Sequence, residues 1–141
     1  MLLKKFKVGL FFMIFCSAWA CSKKTDVIPN MFVNQYVYVN NPTNFKLNAI
    51  GGWIYVTGGV RGIILYRKSS DEFIAYERNC TWQPNDACAT LSVDSTNVSI
   101  SDHCCSSKFV IMDGSIQQGP ATIPLRRYQA AFDGSVIHVF N

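Results

Sequence analysis

Four cysteines constrain this chain more than any other feature. They fall in two short clusters, Asn79-Cys80-Thr81-Trp82 with Cys88 behind it, and His103-Cys104-Cys105-Ser106-Ser107-Lys108-Phe109. Bonding the adjacent Cys104 and Cys105 to each other would strain the backbone. If all four form disulfides, two pairings remain, and both tie one cluster to the other. The two stretches would then meet in space.

The N-terminus says which compartment the thiols meet. Lys4, Lys5 and Lys7 precede an apolar run over residues 8–15, and Ser17, Ala18 and Ala20 lead into Cys21. Residues 1–20 read as a secretory signal, too short for a membrane span. Ala18-Trp19-Ala20-Cys21 resembles a bacterial lipobox, with Cys21 as the acylated first residue of the mature chain. The alternative is a plain cleaved signal that leaves Cys21 a free thiol. Residues 21–30, opening Ser22-Lys23-Lys24-Thr25-Asp26, suit a polar tether, and residues 31–141 form the domain. This predicts a membrane-anchored lipoprotein of a bacterial cell envelope, on the periplasmic side. The N-terminal lipid would be its contact with the membrane. Cys16 leaves with the signal, so Cys80, Cys88, Cys104 and Cys105 stand alone in an oxidising setting that favours disulfides.

Without residues 1–20 the chain has 121 residues, enough for one domain with a core. Ten basic and nine acidic side chains then remain, a charge near +1 rather than the full chain's +4. That balance gives no argument for a nucleic-acid partner.

Alternation and turn residues predict an all-β fold, a sandwich or small barrel of short antiparallel strands. Strand-like runs cover residues 31–39, 51–56, 62–66, 73–76, 91–93, 98–100, 109–112, 115–116, 125–131 and 136–140. Polar loops punctuate them: residues 67–72, Asp94-Ser95-Thr96-Asn97, Asp113-Gly114 and Phe132-Asp133-Gly134-Ser135. No window carries a helical period over ten residues. Both cysteine clusters fall in loops. Asp71, Glu72 and Asp94 read as solvated hairpin residues. His138 reads as a solvent-facing strand residue and His103 as an exposed loop residue. Gly58-Gly59 and Gly62 lack the pattern and following helix of a phosphate loop.

The order of these pieces resembles the Rieske iron–sulfur domain over roughly residues 51–140. Ser106-Ser107-Lys108-Phe109 is similar to that family's Gly-Ser-x-Phe. Gly119-Pro120-Ala121, Pro124-Leu125, Tyr128 and Asp133-Gly134 with Val136 match its downstream loop, strand and final hairpin. Ile74-Ala75 leading to Cys80-Thr81 matches the entry to the first loop. The resemblance implies three antiparallel sheets and two loops at one end. Those loops carry Cys-x-His and Cys-x-x-His, which hold a [2Fe–2S] cluster through two thiolates on one iron and two imidazoles on the other.

The ligands depart from that pattern. Cys80 matches the first cysteine, but Trp82 stands at the first histidine. With Phe109 as anchor, Asp102 stands at the second cysteine and Cys105 at the second histidine. An indole has no lone pair to offer iron. The family's inter-loop disulfide matches Cys88 and Cys104, with residues 84–87 inserted. The resemblance therefore implies disulfides Cys88–Cys104 and Cys80–Cys105, with the swapped pairing open.

Four thiols also meet the count for a four-thiolate cluster or zinc site. Adjacent cysteines rarely suit a tetrahedral site, however, and no Cys-x-x-Cys is present. That motif is equally missing for a thiol–disulfide enzyme. The expectation is a non-catalytic, disulfide-stabilised binding or assembly module with no cofactor and an unidentified protein partner. Its alternatives are a [2Fe–2S] electron carrier with atypical ligands and a thiol–disulfide redox protein. Trp82, Pro84 and Pro120 would gather at the tip, either as a partner patch or with Trp82 filling the space of the cluster.

Overall fold

The computed structural model describes residues 27–141. The signal at residues 1–20, the lipidation at Cys21 and most of the tether lie outside them. Among the described residues no helix is long and apolar enough to cross a membrane.

Among the described residues ten strands form two antiparallel sheets. They are β1 (Asn34–Tyr38), β2 (Trp53–Val56), β3 (Ile63–Arg67), β4 (Phe73–Glu77), β5 (Leu91–Val93), β6 (Ser99–Asp102), β7 (Lys108–Val110), β8 (Ile116–Gln118), β9 (Arg127–Phe132) and β10 (Val136–Phe140). The larger sheet runs β1-β10-β9-β4-β3-β2 and the smaller β5-β6-β7-β8. The larger sheet has two parts. Tyr128 and Arg127 of β9 pair with Ala75 and Tyr76 of β4, while residues from Gln129 to Phe132 pair with β10. One strand thus belongs to two layers, β1-β10-β9 with three strands and β9-β4-β3-β2 with four. With the small sheet, this matches the three sheets the resemblance implies.

β3 and β4 are buried along nearly their whole length. Side chains alternate across a strand, so both faces must meet apolar neighbours. Ile63, Leu65, Phe73 and Ala75 pack with Val37, Tyr128 and Ile137 in one core. Ile64, Tyr66, Ile74 and Tyr76 face the other way, toward Leu91, Ile100 and Phe109 of the small sheet. The second core lies beneath the cysteine loops and includes Cys80.

Two local features depart from the sequence reading. A 3-10 helix at Pro42–Asn48 follows β1, capped where the Asn41 side chain accepts the Thr43 N–H. It was hidden by its length, since so short a tight helix leaves no periodicity to read. Residues 28–30 are also packed on the domain rather than free as a tether. Ile28 is buried, and the Arg126 guanidinium donates to the carbonyls of Ile28 and Pro29.

The hairpin aspartates do more than face water. Asp94 accepts the N–H and hydroxyl of Thr96, and Asp133 accepts the N–H groups of Ser135 and Val136. Asp71 likewise accepts the Ser69 and Ser70 hydroxyls. Such bonds give the turn a local substitute for the strand ladder.

Candidate metal centre between the cysteine loops

The first loop leaves β4 at Glu77 and returns at β5. Its base is closed by a bridge between Asn79 and Thr90, with the Cys80 N–H donating to the Ala89 carbonyl at 3.1 Å. The second loop leaves β6 at Asp102. There the Asp102 N–H donates to Ser107 and the Ser106 N–H donates back to Asp102, both at 2.9 Å. Ser106 holds this turn at φ 65°, the left-handed region that glycine prefers. It occupies the position where the resembled motif has glycine. Residues 119–126 complete the tip: the Ala121 N–H donates to Ser107 Oγ at 3.0 Å, and Thr81 Oγ1 donates to the Ile123 carbonyl at 2.6 Å.

One of the two implied disulfides is formed. Cys88 and Cys104 are bonded across the loops, and both residues are exposed at the tip. The implied Cys80–Cys105 bond is not: both are free thiols. Asp102 lies beside both thiols. Its carboxylate lies with the two sulfurs in a group whose donor atoms are all within 4.8 Å of one another. Cys105 donates to Asp102 Oδ2 at 3.4 Å and contacts Ser107 Oγ at 3.0 Å. The other carboxylate oxygen accepts the Cys104 N–H at 2.7 Å. β6 runs on to Asp102, so a polar residue at the loop entry is drawn into the interior, where it is 1% exposed.

Cys80 is fully buried, and burial pushes its thiol pKa up strongly. Its hydrogen bond to Asp102 adds to the rise, while a bond from the Trp82 backbone opposes it. Cys80 in the folded protein is therefore a poor nucleophile at neutral pH. Cys105 reaches solvent in part.

Of the three residues at the proposed partner patch, Trp82 is half-buried and packs on the core next to the cysteines, and Pro84 is buried. Only Pro120 is exposed. These three do not make an exposed patch, because the apolar ring takes up interior space. His103 is exposed and hydrogen-bonds Ser92 Oγ; His138 stacks between Tyr36 and Phe140.

Two residues that support the site were not singled out from the sequence. Arg61 donates to the carbonyls of Ala87, Asp86 and Pro84 in the inserted segment and to the Asn79 side chain. Glu77, fully buried, accepts the N–H groups of Val60, Arg61 and Asn79 and the Tyr128 hydroxyl. The contacts join residues far apart in the chain, and no local pattern marks them. A buried acidic residue ending an apolar strand was the one available signal.

The donor set does not fit a [2Fe–2S] cluster. Two irons take four protein ligands in two pairs. Here three donors converge, and the nearby Trp82, which packs on the same core, offers only an indole that cannot ligate.

The crystal structure of the cyanobacterial plasma membrane Rieske protein PetC3 from Synechocystis PCC 6803 is similar to this chain. The match covers 74% of this chain and 99% of that one, at 20% sequence identity and a TM-score of 0.56. No family model and no curated protein matches. At that identity the likeness is one of fold, and it joins the order of strands, the two facing loops and the Cys88–Cys104 bridge in one conclusion: this chain carries a Rieske-like domain.

Proposed function

We propose that this protein is an exported lipoprotein whose Rieske-like domain has given up the iron–sulfur cluster and works as a disulfide-stabilised binding or assembly module at a membrane. The observation that carries this reading is Trp82, which packs on the core and which the resemblance puts in the place of a histidine ligand of the second iron. The Cys88–Cys104 bridge then clamps the loops that a cluster would otherwise hold together. Burial of Cys80 argues against thiol–disulfide exchange. Lipid anchoring rests on the Ala18-Trp19-Ala20-Cys21 junction.

The test is anaerobic purification of the full chain with iron and acid-labile sulfide analysis. The expected result is no stoichiometric sulfide and no visible charge-transfer bands. Stoichiometric iron with sulfide would instead establish an atypically ligated electron carrier. Palmitate labelling that is lost in Cys21→Ser would support the anchor.

A further inference from the structure

Two buried carboxylates in this domain are compensated in different ways. Glu77 receives four N–H or O–H donors and needs nothing further. Asp102 is equally closed off, and among the described residues no ion pair includes either carboxylate. Its donors are the Cys104 N–H and the thiols of Cys80 and Cys105. Thiols are weak donors, and a buried carboxylate held by them is poorly compensated. A soft or borderline metal ion displaces the protons of such thiols and takes the sulfurs as ligands.

We propose that Cys80, Asp102 and Cys105 hold one divalent ion of the zinc type, with its fourth position open on the side where Cys105 meets solvent. Two thiolates and a carboxylate suit such an ion. A tetrahedral zinc site with ordinary bond lengths places sulfur about 3.6 Å from oxygen and about 3.8 Å from sulfur. Cys105 Sγ and Asp102 Oδ2 already stand 3.4 Å apart. No separation in the group exceeds 4.8 Å, so at most about 1 Å of closure is needed. The surroundings are arranged as a support. The Cys104 N–H fixes one carboxylate oxygen and leaves the other toward the sulfurs. Ser107 Oγ accepts the Ala121 N–H, so its own proton can serve the Cys105 sulfur once the thiol proton has left. Cys88 and Cys104 are bonded to each other and take no part.

The step balances without any redox partner. The ion arrives as M²⁺, both thiols give their protons to solvent, and the complex carries one net negative charge. The inference rests on the cluster having been lost from this same position.

The test uses the purified full chain, titrated anaerobically with Co²⁺ and then Zn²⁺ without thiol reductant, so that the Cys88–Cys104 bond stays closed, with the fold checked by circular dichroism. One equivalent of Co²⁺ is expected to produce a thiolate-to-cobalt charge-transfer band together with intense tetrahedral d–d bands. Zn²⁺ is expected to abolish them and to release about two protons per ion. Cys105→Ser should lose the charge-transfer intensity of one sulfur, and Asp102→Asn should weaken Zn²⁺ binding at least about tenfold. Cys105→Ser is the primary variant, because truncating the core residue Cys80 can unfold the domain. Binding unchanged in both variants, or a folded wild type that takes up neither ion, overturns the proposal. If that protein also lacks sulfide, the cluster-free reading stands alone. Iron with stoichiometric sulfide overturns both.

Discussion

The Glu77 carboxylate accepts the Tyr128 hydroxyl at 2.6 Å, with both residues buried. The bond joins the end of β4 to the point where β9 passes from one layer to the next. The same carboxylate organises the turn before β3, where Gly59 sits at φ 64°. A Cβ there would come within 2.2 Å of Glu77 Oε2. Glu77→Gln puts an amide against backbone N–H donors and should cost about 3 kcal/mol, read from the urea midpoint. Tyr128→Phe removes a single donor and should cost about 1–2 kcal/mol. Equal effects from the two changes would show that the four donors do not act on one group.

Arg61 should control the order of the first loop more than the stability of the domain. Arg61→Ala removes the donors to Ala87, Asp86 and Pro84. Hydrogen exchange over residues 83–90 should speed up, with β3 and β4 unchanged. Arg61→Lys should rescue little, since one ammonium cannot reproduce the fan of a guanidinium.

Non-reducing mass mapping should find Cys88 linked to Cys104, with Cys80 and Cys105 alkylated as free thiols. Cys80 should react only after denaturation, because it is fully buried. Cys88→Ser should lower stability by about 3 kcal/mol, the value for a closed loop near the 16-residue separation found here. A bridge between Cys80 and Cys105 would contradict the packing around Asp102.

The metal-free protein should weaken in alkali. Burial raises the pKa of Cys80, Tyr76 and Tyr128 above the ordinary values of 9.0 and 10.0. The folded state therefore keeps protons that the unfolded chain has lost. Their contribution is complete below those ordinary values and disappears as pH climbs through the raised ones. Asp71, Asp94, Asp113 and Asp133 are shifted the other way, chiefly by side-chain or backbone hydrogen bonds within their turns. Their contribution is present above 3.8 and fades as pH falls through the lowered values. Urea midpoints should be level through neutral pH and decline on both sides.

Most strands were legible because their cues are local. Residues 73–76 and 136–140 are apolar or β-branched runs bounded by polar turns, and the structure places strands there. The end of β6 was not legible. Ser101 and Asp102 read as loop, yet both are buried, since the tertiary position of the sheet outweighs their polarity. The meeting of the two cysteine loops was also legible, and the family resemblance pointed to the Cys88–Cys104 bond while leaving the swapped pairing open. What escaped was the part Asp102 plays between the remaining thiols. Spacing alone carries no information about a third side chain that joins two others. Arg61 escaped for a related reason: its partners lie well down the chain, in the segment from Asn79 to Thr90, and a lone arginine in a turn looks like any solvated charge.

β9 gives its first two residues to one layer and its last four to the other. Neither layer has a complete edge without it. Peeling away β10 would strip Gln129 to Phe132 of their partner, next to the two residues that pair with β4, and Tyr128 would carry the disturbance to Glu77 and on to the loop that Arg61 holds. The far end of the sheet and the cysteine tip should therefore melt in one transition, and a fragment ending before β9 should not keep its tip.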